Sequence, residues 1–111
     1  MRPLVALVMA CAFLPAAAAD ARWTFCVATA AQSREVWISE VIAATVERAK
    51  LEDEFKAAVT RGGATRVDAQ CPAPRDDKTE AVNNRFLAEE FNRKLGAEVR
   101  AVSVELFPGR R

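Results

Sequence analysis

Cys26 and Cys71 constrain this chain more than any other two residues, because a bond between them would close a loop of about 46 residues. It would tie the first strand-forming stretch, Trp23-Thr24-Phe25-Cys26-Val27-Ala28, to a point far downstream. In the chain-entropy account, a crosslink of this span stabilises a fold by about 4 kcal/mol. Two readings of the pair are open. A single disulfide is the most economical state of two cysteines in an exported chain. A redox-active pair is the other reading, although it lacks the close C-x-x-C spacing that lowers a thiol pKa.

Export is written at the N-terminus. Arg2 is followed by an apolar run from Leu4 to Leu14, then Pro15 and four alanines before Asp20. These are the n-region, h-region and small-residue cleavage site of a signal peptide. Cleavage is expected after Ala19, with Ala21 as the near alternative. The run is short of the roughly 20 residues that span a bilayer, so no stable membrane span is expected. Leu7-Val8-Met9-Ala10-Cys11 faintly resembles a lipoprotein cleavage box, which leaves lipidation of Cys11 as a second reading. The expected address is periplasmic or secreted.

Loss of residues 1–19 removes Arg2 and leaves 15 basic residues against 15 acidic ones. A neutral surface nominates neither nucleic acid nor an anionic membrane as a partner. With no repeat, low-complexity segment or linker, residues 20–111 are expected to form one small domain. Its modest core would benefit from a covalent staple.

Glu35-Val36-Trp37-Ile38-Ser39 alternates, with Val36 and Ile38 on one side, and predicts a second strand after a short polar link. From about Thr45 the period changes. Leu51, Phe55, Ala58 and Val59 fall on one face of a helix, and Gly62-Gly63 ends it. Ala64 to Cys71 alternates again as a third strand, stopped by Pro72-Ala73-Pro74.

Asp77 and Glu80 have the spacing of a capping box and open a second helix. Along it, Ala81, Asn84, Leu87, Ala88, Phe91 and Leu95 form a stripe that reads as its core face, with Val82 and Phe86 off the stripe. Gly96 ends this helix, and Val99 to Phe107 predicts the last strand, with a bulge at Ala101-Val102 and a frayed tail after Phe107. The expected fold is α+β, a two-layer sandwich ordered β-β-α-β-α-β, with a four-stranded mixed sheet and both helices on one face.

The chain has no histidine and no tyrosine. That removes the commonest neutral-pH base and metal ligand, and with it triads, Cys-His dyads and most zinc sites. No metal, cofactor or catalytic residue is expected. Acidic clusters occur at Glu52-Asp53-Glu54, Asp76-Asp77 and Glu89-Glu90 and could act in pairs as in glycosidases, but such runs ordinarily serve as solvated helix faces.

Trp37 carries the sharper expectation. If Val36 and Ile38 face the helices, Trp37 projects from the opposite, open face with Arg66, Asp68 and Gln70, a combination suited to stacking on a sugar or anchoring a protein. Trp23 reads as a packing residue at a strand start.

Trp-x-Phe-Cys-Val-Ala at 23–28, Val-Trp-Ile-Ser-Glu-Val-Ile at 36–42, a helix with Leu51 and Phe55, and Cys71-Pro72 before a second helix together resemble small exported domains of Gram-negative bacteria. The resemblance covers most of the mature chain. It implies the α+β fold, the disulfide and a periplasmic address, and it carries no catalytic or binding residue. The leading expectation is a disulfide-stapled, non-enzymatic module that binds another envelope protein. The alternative is a small-ligand or glycan-binding module using the Trp37 face.

Overall fold

The computed structural model describes residues 21–103. The expected leader and cleavage site, Cys11, the end of the last expected strand and the expected tail lie outside the described residues. The elements are β1 (Trp23–Thr24), β2 (Val27–Ala30), β3 (Glu35–Ser39), β4 (Ile42–Ala43), α1 (Arg48–Arg61), β5 (Val67–Gln70), α2 (Lys78–Lys94) and β6 (Glu98–Val102). β2 pairs antiparallel with both β3 and β5, and β3 pairs parallel with β6. The result is a mixed four-stranded sheet in the order β5-β2-β3-β6, with β1 and β4 forming a separate two-stranded ribbon. The α+β class and the four-stranded mixed sheet are those the periodicities predict.

The first expected strand is in fact two, divided at Phe25-Cys26. There the Cys26 N–H donates to the Ser39 hydroxyl at 2.8 Å, while the Cys26 carbonyl accepts from the Ser39 N–H at 2.9 Å. Ser39 is fully buried, and its hydroxyl donates onward to the Glu40 carbonyl at 2.8 Å. A side-chain acceptor thus satisfies a backbone donor where the chain passes from ribbon to sheet, as buried polar groups require. The two residues of β4 had no periodicity to announce them.

α1 buries Leu51, Phe55, Ala58 and Val59, as its spacing predicts. Gly63 follows its end at φ +108°, a conformation that suits glycine, and donates to the Thr60 carbonyl. Asp77 caps α2 by accepting from the Thr79 N–H at 2.9 Å, while Glu80 pairs with Arg75 at 2.9 Å. Past Leu95, the Gly96 N–H bonds the Arg93 carbonyl and the Ala97 N–H bonds that of Asn92, with Gly96 at φ +89°. This is a Schellman termination. Asp77→Ala is expected to cost about 1 kcal/mol and Asp77→Ser much less. Urea titration checks this, and equal losses in the two variants would refute the capping role.

The two helices lie on opposite faces of the sheet, which corrects the expectation of a single helical face. Ala28, opposite both Trp37 and Ala69, belongs to a core with Leu51, Phe55 and Val59 of α1. Val36 and Ile38 belong to a second core with Phe25, against which Val27 and Ala88 of α2 pack. Strand alternation puts these two sets on opposite faces. The strand order supplies the reason. The connection from β3 through α1 to β5 runs one way across the sheet, and that from β5 through α2 to β6 runs back. Parallel crossovers of the same right hand in opposite directions put their helices on opposite faces.

The Cys26–Cys71 disulfide is formed and lies inside the α1 core. Beside it, the Thr24 hydroxyl donates to the Pro72 carbonyl at 2.8 Å, and Trp23 and Arg75 exchange backbone hydrogen bonds at 2.7 and 2.8 Å.

Candidate functional site

The sheet register divides the residues that the sequence groups with Trp37. Trp37 lies opposite Ala28, on the face covered by α1, and packs half-buried against that core. Asp68 is opposite Thr29 and Gln70 opposite Val27, so both belong to the other face, where they are exposed. Arg66 precedes β5 with φ +54°, a left-handed backbone that takes it out of the strand alternation. Its carbonyl accepts from the Ala31 N–H near the tip of the β2–β3 hairpin. The face expected to be open, that of Trp37, is covered by α1; the uncovered surface is instead part of the Val36 face, with Thr29, Asp68 and Gln70 as its floor. Trp23 sits beneath the Lys78 ammonium, 4.8 Å from the ring centroid.

Each acidic cluster has members engaged in structural contacts. Glu52 accepts from the Cys71 N–H at 2.9 Å and pairs with Arg48 at 3.6 Å. Asp76 pairs with Arg22, Asp77 caps α2, and Glu89 is held between Arg85 and Arg93 at 3.3 and 2.7 Å. Among the described residues no three metal-ligating side chains converge, and no helix is long and apolar enough to cross a membrane. Arg85 also donates from Nε to the Ser39 carbonyl at 2.7 Å, which fastens α2 to the end of β3.

What the molecule does present is the flank of α2. Leu87, Phe91 and Leu95 recur every fourth residue and are 61%, 62% and 69% exposed, and Val82 and Phe86 on another side of the helix are 46% and 57% exposed. Of the stripe expected to be core, only Ala81 is buried, with Asn84 and Ala88 half-buried. The sheet-facing side of α2 is made of small and polar residues, Ala81, Arg85 and Ala88. The long apolar side chains are turned away from it. A surface helix with three large apolar residues in one line is a mark of a docking surface.

Leu95 shows where this flank looks. With Asn92, Gly96 and Ala97 it lines a cleft of about 410 Å³ whose other wall is Thr29, Ser33, Arg34, Glu35 and Val36. α2 packs on β3, β6 and β1, whereas α1 takes β5 and β2 on the opposite face. The part of the sheet over β2 and β5 on the α2 side is therefore bare, with exposed Thr29, Asp68 and Gln70 and half-buried Val27. Leu87, Phe91 and Leu95 form the wall of this lane, and the cleft is its end. A second hollow of about 300 Å³ includes Val27 and Gln70 together with Arg48, Cys71 and Pro72.

Periodicity located Leu87, Phe91 and Leu95 but assigned them to the core, and the signal that would have corrected this was the alanine pair Ala81 and Ala88 on the adjoining side. Compared with protein-family models, curated protein sequences and solved structures, the chain has no match.

Proposed function

We propose that this is a small, disulfide-stapled protein-binding module of the bacterial cell envelope, without catalytic chemistry of its own, that receives its partner in the lane between the α2 flank and the bare half of the sheet. The carrying observation is the line of Leu87, Phe91 and Leu95, each more than half exposed beside an uncovered strand pair. Full burial of such a side chain contributes roughly 1.5–3 kcal/mol, so three in a row reward a partner that covers them together. The buried disulfide supports the envelope address, since such bonds persist in oxidising compartments, and the apolar leader supports export.

A photo-crosslinking amino acid placed at position 91 in cells is expected to trap a protein, whereas the same group at exposed Lys56 on α1 is not. Adding Leu87→Ser and Leu95→Ser should abolish the adduct. Absence of any adduct from positions 87, 91 and 95 alike would reject the reading.

A further inference from the structure

We infer that the occupant of this lane is α2 of a second copy of the same chain, packed parallel about a two-fold axis that runs between the two helices and along them; this rests on the reading of the lane as a protein-docking surface. The first argument is width. Four strands at about 4.8 Å make a sheet roughly 19 Å across, and a helix with its side chains is about 10 Å wide. α2 covers the β3–β6 half, so the bare half over β2 and β5 has room for one more helix. That helix must be apolar along the flank that meets Leu87, Phe91 and Leu95. α2 itself meets the requirement.

The second argument is self-complementarity. A two-fold interface brings the same patch together from both copies. With the axis running between the two helices and parallel to both, each side chain of the flank meets its own twin: Leu87 on Leu87, Phe91 on Phe91 and Leu95 on Leu95. Each α2 then lies over the bare β2–β5 half of the other copy, and the two sheets enclose a shared layer of two helices.

The third argument is polarity. At 100° per residue, Asn83, Glu90 and Lys94 form the ridge of α2 on the far side from Ala81 and Ala88, which face the helix's own sheet. In the pair, this polar ridge rests on the polar floor of the other copy, where Lys94, at the Leu95 end that lies beside Thr29, brings a positive charge to Asp68. Apolar wall meets apolar wall, and polar ridge meets polar floor. The 17 residues of α2 make it about 26 Å long. Two such helices side by side give a footprint of roughly 500 Å² per copy, near the lower end of stable specific interfaces. The association should accordingly depend on concentration.

The test is sedimentation equilibrium of the disulfide-bonded protein from about 1 to 500 μM. A reversible monomer–dimer equilibrium is expected. Phe91→Glu, which sets two carboxylates face to face at the axis, should weaken it at least tenfold, and Lys56→Glu should leave it unchanged. Because position 95 faces 95 of the other copy, Leu95→Glu and Leu95→Lys should each weaken the dimer, and an equimolar mixture of the two variants should recover it as a heterodimer. Circular dichroism and urea midpoints of the variants, at low concentration, confirm that the monomers are folded. A dimer indifferent to Phe91→Glu, or a mixture that associates no better than either Leu95 variant alone, overturns the arrangement. A strict monomer that still yields a crosslinked adduct with a different protein at position 91 overturns the second copy and leaves the docking surface standing. A strict monomer with no adduct rejects both.

Discussion

Replacing Phe55 with alanine is expected to lower stability by about 3–5 kcal/mol. Phe55 is fully buried in the α1 core, among Leu51, Val59, Val67 and the disulfide. A domain of this kind has on the order of 5–15 kcal/mol in total, so the variant should sit close to its unfolding limit. Phe91→Ala removes the same ring from the α2 flank. Measured at low concentration, it should change stability by no more than about 0.5 kcal/mol. Urea titrations of the two variants decide the matter. Comparable losses would mean that the α2 flank is interior, and the docking surface would go with it.

Removing both cysteines, as Cys26→Ser with Cys71→Ser, is expected to cost about 4 kcal/mol, the loop-closure value for a separation of 45 residues. For a chain of this size that corresponds to a fall in Tm of roughly 15–30 °C. The mechanism acts mainly on the unfolded ensemble. The denaturant slope should therefore rise, because the released chain expands further on unfolding, while the native far-ultraviolet dichroism stays as it is. Local contacts should survive in the native state: the Thr24 hydroxyl on the Pro72 carbonyl, the Trp23–Arg75 exchange and Glu52 on the Cys71 N–H need no sulfur. An oxidised protein whose Tm is unmoved by reduction or by the double replacement would refute the assignment of stability to this bond.

Most of the local architecture was readable because each element has its own period. Val36 and Ile38 alternate, Leu51, Phe55 and Val59 follow the helical turn, and Gly63 and Gly96 stand where a chain must leave a helix. Other features were beyond periodicity. The break at Phe25-Cys26 depends on the buried hydroxyl of Ser39, thirteen residues away, and no pattern within residues 23–28 announces it. The face on which each helix lies depends on strand order, which local patterns do not encode.

The fate of the α2 stripe shows the same limit. A helical wheel marks which side chains are apolar but not whether the surface they meet belongs to the same molecule. Here Ala81, Ala88 and the Arg85 contact to Ser39 fasten α2 to the sheet and leave Leu87, Phe91 and Leu95 outward. Trp37 was misplaced for a related reason: alternation correctly set it apart from Val36, but the face opposite Val36 also carries a helix.

The strand order also sets a timetable for folding. Only the β2–β3 hairpin joins neighbours in the chain; β5 reaches β2 across about 40 residues, and Glu98 of β6 reaches Glu35 of β3 across 63. Loop-closure entropy must be met before either edge contributes, so the hairpin is the natural nucleus and the edges condense on it late. As the chain emerges from its N-terminus, Cys26, immediately before β2, waits for Cys71 while 45 further residues follow, and through that interval the thiols of other molecules can reach it.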